Sequence, residues 1–143
     1  MIALLDVNVL IALAWPEHVR HRDAVKWFRK RAAGGWATTP FTQAGFIRLS
    51  ANAKVVGDPV RPVDSLDLLG QLRTVGVHTF WVDDLDIVIS DSFPAERLTG
   101  HRQVTDAHLL ALSRRWNGSL ATFDRGISLL ASGLDGTTVE LIE

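Results

Sequence analysis

Met1-Ile2-Ala3-Leu4-Leu5-Asp6-Val7-Asn8-Val9-Leu10-Ile11-Ala12-Leu13 opens the chain, and its reading decides the fold. Ile2 to Leu5 is an apolar run too short for anything but a buried strand. Asp6 follows at once, Asn8 comes two residues later, and Val9 to Leu13 read as the first turns of a buried helix. A strand that ends in an Asp and turns into a helix places that Asp at the strand's carboxyl end. In open α/β sheets that edge is where ligands bind. Two later segments repeat the pattern. Val104-Thr105-Asp106-Ala107 opens an apolar helix, and Leu120-Ala121-Thr122-Phe123-Asp124 is a short apolar run ending in an Asp. The expectation is that Asp6, Asp106 and Asp124 meet in space and hold a divalent metal.

Outward from this opening, strands and helices alternate. Pro16 breaks the first helix, and a second is expected over Glu17–Ala33, with Ala24, Val25, Phe28 and Ala32 on one stripe. Gly34-Gly35 ends it. Trp36-Ala37-Thr38 reads as a strand and Thr42–Asn52 as a third helix behind the Thr39-Pro40 turn. Gly57 to Pro62 is a loop. Val63–Val75 reads as a helix with Leu66, Leu69 and Leu72 on its apolar side, and His78–Val82 as a strand followed by Asp83-Asp84. A short helix is expected over Leu85–Ser92, then a loop to Gly100. Gln103–Trp116 is the most apolar helix, so it should pack between other elements. Ser119–Phe123 is a strand, Ile127–Ala131 a helical turn or two, and Val139–Ile142 a last strand. This order predicts a three-layer α/β/α domain over residues 1–143, with a mainly parallel central sheet of four to five strands.

Composition bounds the chemistry. The chain has 143 residues, 47% of them hydrophobic, which suffices for one full core. The absence of Cys removes disulfides, thiolate metal sites and Cys nucleophiles. No basic segment precedes the apolar opening and no apolar run approaches the ~20 residues of a membrane helix, so a soluble cytoplasmic protein is expected, without signal peptide or membrane contact. With 15 Lys+Arg against 16 Asp+Glu the net charge is -1. Any nucleic-acid binding must therefore use a local patch.

Each carboxylate has an ordinary structural explanation. Asp6 suits a helix N-cap, Asp106 a helix first turn, and Asp124, in F-D-R-G, a turn. Their conjunction at one sheet edge is what points to function. Like charges gathered in a cleft repel and raise one another's pKa, so a cation belongs there. Mg²⁺ or Mn²⁺ fits oxygen ligands best. Zinc is poorly served, and His18 and His21 read as exposed.

Leu4-Leu5-Asp6-Val7-Asn8-Val9-Leu10, Thr105-Asp106-Ala107-His108-Leu109 and Ala121-Thr122-Phe123-Asp124-Arg125-Gly126, in this order and spacing, resemble the PIN domain. More narrowly they resemble the VapC-type toxins of bacterial toxin–antitoxin pairs. The resemblance covers essentially the whole chain. It implies a metal-dependent endoribonuclease acting on tRNA or rRNA, a homodimer, and a cognate VapB-type antitoxin. Residue by residue, Asp6 matches the family's first metal-binding acid, Asp106 the third and Asp124 the fourth. Asn8 and Thr122 match supporting polar positions. Gln43 stands where the second acid, usually a Glu, is found. Gln offers a carbonyl oxygen but no charge and no base. Asp83 or Asp84 is a positional candidate to compensate, against the plainer reading of a solvated helix start.

RNA must also be held. Arg20, Arg22, Lys26, Arg29, Lys30 and Arg31 crowd one segment, and Arg48 lies one helix on. Phosphate contact by such a patch is salt-dependent and sequence-blind; a solvated face or an antitoxin-covered face is the competing reading. Arg114-Arg115 reads as plain surface. Trp15 and Trp36 are expected to pack in the core or an interface rather than to stack on bases. A haloacid-dehalogenase-like phosphatase would want a second Asp at position 8, and a receiver domain a Lys after a late strand; both are missing. The remaining alternative is a PIN-like fold that has lost catalysis and binds nucleic acid or protein. Gln43 favours that reading, and the three retained acids oppose it.

Overall fold

The computed structural model describes residues 1–143. Five short strands form one wholly parallel sheet: β1 (Ala3–Leu5), β2 (Trp36–Thr38), β3 (His78–Phe80), β4 (Ser119–Thr122) and β5 (Val139–Leu141), in the order β3-β2-β1-β4-β5. Seven helices flank it: α1 (Val7–Ala14), α2 (His21–Arg31), α3 (Pro40–Ser50), α4 (Ala53–Val56), α5 (Pro62–Leu72), α6 (Val104–Arg115) and α7 (Arg125–Ala131).

Alternation along the strands builds two cores. Ala3, Leu5, Trp36 and Ala121 face a cluster formed with α1, α2, α3 and α5. Leu4, Ala37 and Leu120 face the opposite cluster, supplied by α6, α7 and Trp81. Strands buried on both faces read as continuous apolar runs, as the sequence shows. Helices α1 and α3 approach closely because residue 45 is Gly; a Cβ there would stand 2.8 Å from Val7 Cγ2. No helix is long and apolar enough to cross a membrane.

Several local expectations shift. Helix α2 begins at His21, not Glu17. The His18 imidazole accepts the Arg20 N–H at 3.0 Å, so turn hydrogen bonding replaces the first helical turn. Leu85–Ser92 is not a helix but a loop with two turns. There Asp83 Oδ1 accepts the Leu85 N–H and Asp86 Oδ1 accepts the Val88 N–H, two local bonds that compete with helix formation. A short helix, α4, replaces the segment before the Gly57 loop, capped by the Asn52 side chain on Lys54 N–H at 3.0 Å. On α5 the inward stripe is Ser65, Leu68, Leu69 and Leu72, and Leu66 points outward at 59% exposure. Trp15 and Trp36 are both core residues.

The strand order fixes where the chemistry lies. From β1 the chain moves outward on one side through β2 and β3, then crosses back to place β4 against β1's other edge. The reversal leaves a crevice at the carboxyl ends of β1 and β4, the usual ligand position in such sheets.

Candidate active site

Asp6 and Asp124 flank that crevice. Leu5 pairs with Ala121 in register, so the next residues, Asp6 and Thr122, stand side by side. Thr122 Oγ1 donates to Asp6 Oδ2 at 2.9 Å and itself accepts the Asp124 backbone N–H at 3.1 Å. One fully buried hydroxyl thus ties the first acid to the backbone of the last. Asp6 occupies the N-cap position of α1 without a side-chain cap bond. It is 8% exposed. Burial pushes its pKa above the usual carboxylate range, the Thr122 and Val7 hydrogen bonds hold it down in part, and the charge of Asp124 raises it further.

Asp124 is exposed and caps α7, its Oδ1 accepting the Gly126 N–H at 2.7 Å. Asp106 sits in the first turn of α6, half-buried, and its carboxylate accepts no hydrogen bond. Its pKa is pushed up to about 6, by burial first and then by the charges of Asp6 and Asp124. The three acids therefore share one electrostatic environment, in which each new negative charge is resisted.

The donor chemistry suits a hard, hydrated cation. All the ligands on offer are oxygens, and a divalent ion would relieve the repulsion that raises Asp106. No three His, Asp or Glu side chains stand close enough to enclose an ion. Asp6, Asp106 and Asp124 thus interact through their charges without enclosing an ion.

Asn8 and Gln43 form no hydrogen bond with the acids. Asn8 is exposed on α1 and its side chain forms no hydrogen bond. Gln43 is turned toward the β2–β3 side, where its amide nitrogen donates to Thr38 Oγ1 at 3.0 Å and Thr38 in turn bonds His78 Nε2 at 2.8 Å. His78 is held down to about 4, by burial and then by Arg73, so it is neutral near pH 7, and in its Nδ1–H tautomer Nε2 accepts from the Thr38 hydroxyl. Asp83 and Asp84 are spoken for. Asp83 Oδ2 pairs with His108 Nε2 at 2.6 Å, and Asp84 pairs with Arg115 at 2.8 Å. They neither start a helix nor join the acidic crevice. His18 and His21 are half-buried rather than exposed: His21 donates from Nδ1 to Ala12 O at 2.7 Å. The sequence reading did not single out Thr38, His78 or His108 as supports. Only His108's place two residues after Asp106 hints at such a role.

The PIN-domain profile matches residues 3–132. The chain belongs to the PIN-domain family, in its VapC branch. Ribonuclease VapC38 of Mycobacterium tuberculosis is 48% identical over 140 residues, covering 98% of this chain and 97% of the relative. Ribonuclease VapC39 of the same organism is 44% identical over 132 residues, covering 92% of this chain and 95% of the relative. The PIN fold recurs in the solved VapBC2 of Rickettsia felis bound to a promoter DNA fragment, with TM-score 0.58, 12% identity and full coverage of both chains. It recurs also in FitAB bound to IR36 DNA, with TM-score 0.60, 18% identity, and coverage of 99% of this chain and 94% of that one.

Proposed function

We propose that this VapC-branch PIN protein is an endoribonuclease toxin that hydrolyses RNA phosphodiester bonds with Mg²⁺ or Mn²⁺, and that a VapB-type antitoxin neutralises it. Its relatives are named ribonucleases. The observation that carries the chemical reading is the convergence of Asp6, Asp106 and Asp124 on one electrostatic environment at the β1–β4 crevice. A domain without catalysis has no need of three acids that resist one another's ionisation.

Asp6, Asp106 and Asp124 would hold the cation, which supplies charge relief at the scissile phosphate and a water of lowered pKa. Asp6 is the fixed member, since Thr122 sets its rotamer from a buried position. Asp124 is held from two directions, by its own N–H on Thr122 and its carboxylate on Gly126. Asp106 alone is free of hydrogen bonds, so its carboxylate is the one of the three with both oxygens open to a cation or its water. Gln43, linked to Thr38 and His78, stands outside this set and supplies no charge. Activity therefore rests on three acids. The protein works as a homodimer in the cytoplasm, on tRNA or rRNA.

Cleavage of total cellular RNA by the purified protein, with Mg²⁺, Mn²⁺ or EDTA, tests this beside Asp6→Asn. Discrete metal-dependent cuts that vanish in the folded variant are the expected result. Normal cleavage by Asp6→Asn refutes the site. No cleavage with any metal leaves a PIN-fold binding module, and Gln43→Glu is then the protein to test for restored activity.

A further inference from the structure

Helix α2 distributes its positive charge unevenly. Arg20 is paired with Asp23 at 2.8 Å and Arg31 with Glu140 at 2.8 Å. Arg22, Lys26, Arg29 and Lys30 have no carboxylate within ion-pair distance. All four are exposed. With His21 and Val25 they line a groove of about 480 Å³ that contains no acid. Positions 22, 26, 29 and 30 fall on one side of a helix, away from the buried Ala24 and Phe28. Like charges at i, i+4 destabilise a helix by a few tenths of a kcal/mol per pair. The stripe therefore weakens the helix that carries it, and nothing in the core requires it.

The direction of α2 relates the stripe to the acidic crevice. At the start of α2 the Arg20 guanidinium lies 4.4 Å from the centre of the Phe123 ring, beside Asp124, and donates to Ile142 O at 2.8 Å. At the far end Arg31 donates to Met1 O, below the opposite end of β1. The axis of α2 thus runs from the crevice edge of the sheet toward its amino edge, and the stripe follows it on the face turned away from Arg20 and Arg31. Eight residue steps from Arg22 to Lys30 span ~12 Å at 1.5 Å each. That is about the length of three to four nucleotide steps along a duplex, at ~3.4 Å each.

We propose that this face of α2 is an exosite for RNA backbone phosphates, holding a segment that flanks the scissile bond. It rests on the ribonuclease reading above. Phosphate contact needs charge in register and no apolar anchor. A protein interface draws its affinity from buried aromatic and aliphatic anchors, and this groove offers one, Val25. The polyanion it fits is therefore a nucleic-acid backbone rather than an acidic peptide. Its contribution is to affinity and on-rate, not to sequence choice.

The test is binding of a long fluorescent oligouridine to full-length Asp6→Asn protein in EDTA, titrated with salt between about 50 and 200 mM. The comparison protein carries Arg22→Gln, Lys26→Gln, Arg29→Gln and Lys30→Gln in the same background, with its fold checked by thermal melting. The log–log salt slope should become shallower by about three, from ~0.7 per lost contact on a single strand. A variant with Arg22→Lys and Arg29→Lys, which keeps the charges, should retain the slope. An unchanged slope in the quadruple variant, or no RNA binding by the parent, overturns the exosite. Polyglutamate of matched charge that binds as tightly, and is lost with the same substitutions, overturns the RNA assignment in favour of an acidic protein segment. Because binding is read in a protein that does not cut, failure of cleavage by wild type and failure of the exosite appear in separate experiments.

Discussion

Asp106→Asn should stabilise the metal-free protein above about pH 6, although Asp106 is placed in the active site. Its carboxylate accepts no hydrogen bond, so the amide loses no partner, and its pKa is raised from 3.8 to about 6 by burial and by Asp6 and Asp124. A carboxyl whose folded pKa lies above its unfolded value favours folding while protonated. That contribution is complete below the unfolded pKa of 3.8 and is lost as pH rises through about 6. Above that window wild type carries a charge that folding disfavours, and the Asn variant does not. Two pKa units correspond to about 3 kcal/mol at 1.36 per unit. Asp106 is only half-buried, and solvent screening reduces this to ~1 kcal/mol, or a Tm higher by roughly 3 °C in a chain of this size. Thermal melts in EDTA across the acid-to-neutral range should show the gap closing toward about pH 4 and opening through about pH 6. Saturating Mg²⁺ or Mn²⁺ should reverse the order, because wild type gains RT ln(1 + [L]/Kd) and the variant gains less. If the Asn variant is the less stable protein in EDTA near neutral pH, or if the gap does not depend on pH, the electrostatic account of the site is wrong.

Thr122→Val should cost ~2 kcal/mol in urea denaturation, since it removes a buried hydrogen bond to a carboxylate and a part-buried one from the Asp124 N–H. It should also raise the Asp6 pKa further, because the lost bond favours the charged form. The acid limb of the cleavage profile should then move to higher pH; an unmoved limb would deny Thr122 this role. Gln43→Glu replaces a donor with an acceptor beside Thr38, whose single hydroxyl proton then turns toward the new carboxylate. His78 loses that proton as a partner, so its pKa should climb from about 4, and an NMR titration that finds it unchanged contradicts the relay. Gly118→Ala would bring a Cβ to 2.4 Å from the buried Trp81 ring and 2.5 Å from Ile2 O. Overpacking against backbone should cost ~2 kcal/mol or more, and a loss under ~0.5 kcal/mol would mean that Trp81 can yield.

Much of the fold was legible because strands buried on both faces are short apolar runs and their helices carry recurring stripes. Ala3–Leu5, Trp36–Thr38 and Ser119–Thr122 lie where the pattern puts them. The misreadings share a cause. At His18, Asp83 and Asp86 a side chain captures a nearby backbone N–H, and such a bond overrides the helical pattern around it. On α5, Leu66 and Leu69 suit one stripe and Leu68 and Leu69 another; only the position of α3 decides that the second faces inward.

By itself the sequence determined the element order, the alternation of core faces along each strand, and the presence of an acid at the end of β1, at the end of β4 and in the first turn of α6. These depend on periodicity and spacing, which act over a few residues. Only the tertiary structure decided that β4 lies against β1, so that Thr122 bridges to an Asp6 that is 116 residues away in sequence. It also decided that Gln43 joins Thr38 and His78, and that Asp83 is claimed by His108. The physical reason is register. A hydrogen bond between distant strands depends on which residues the sheet sets side by side, and packing of the whole core against both faces makes that choice.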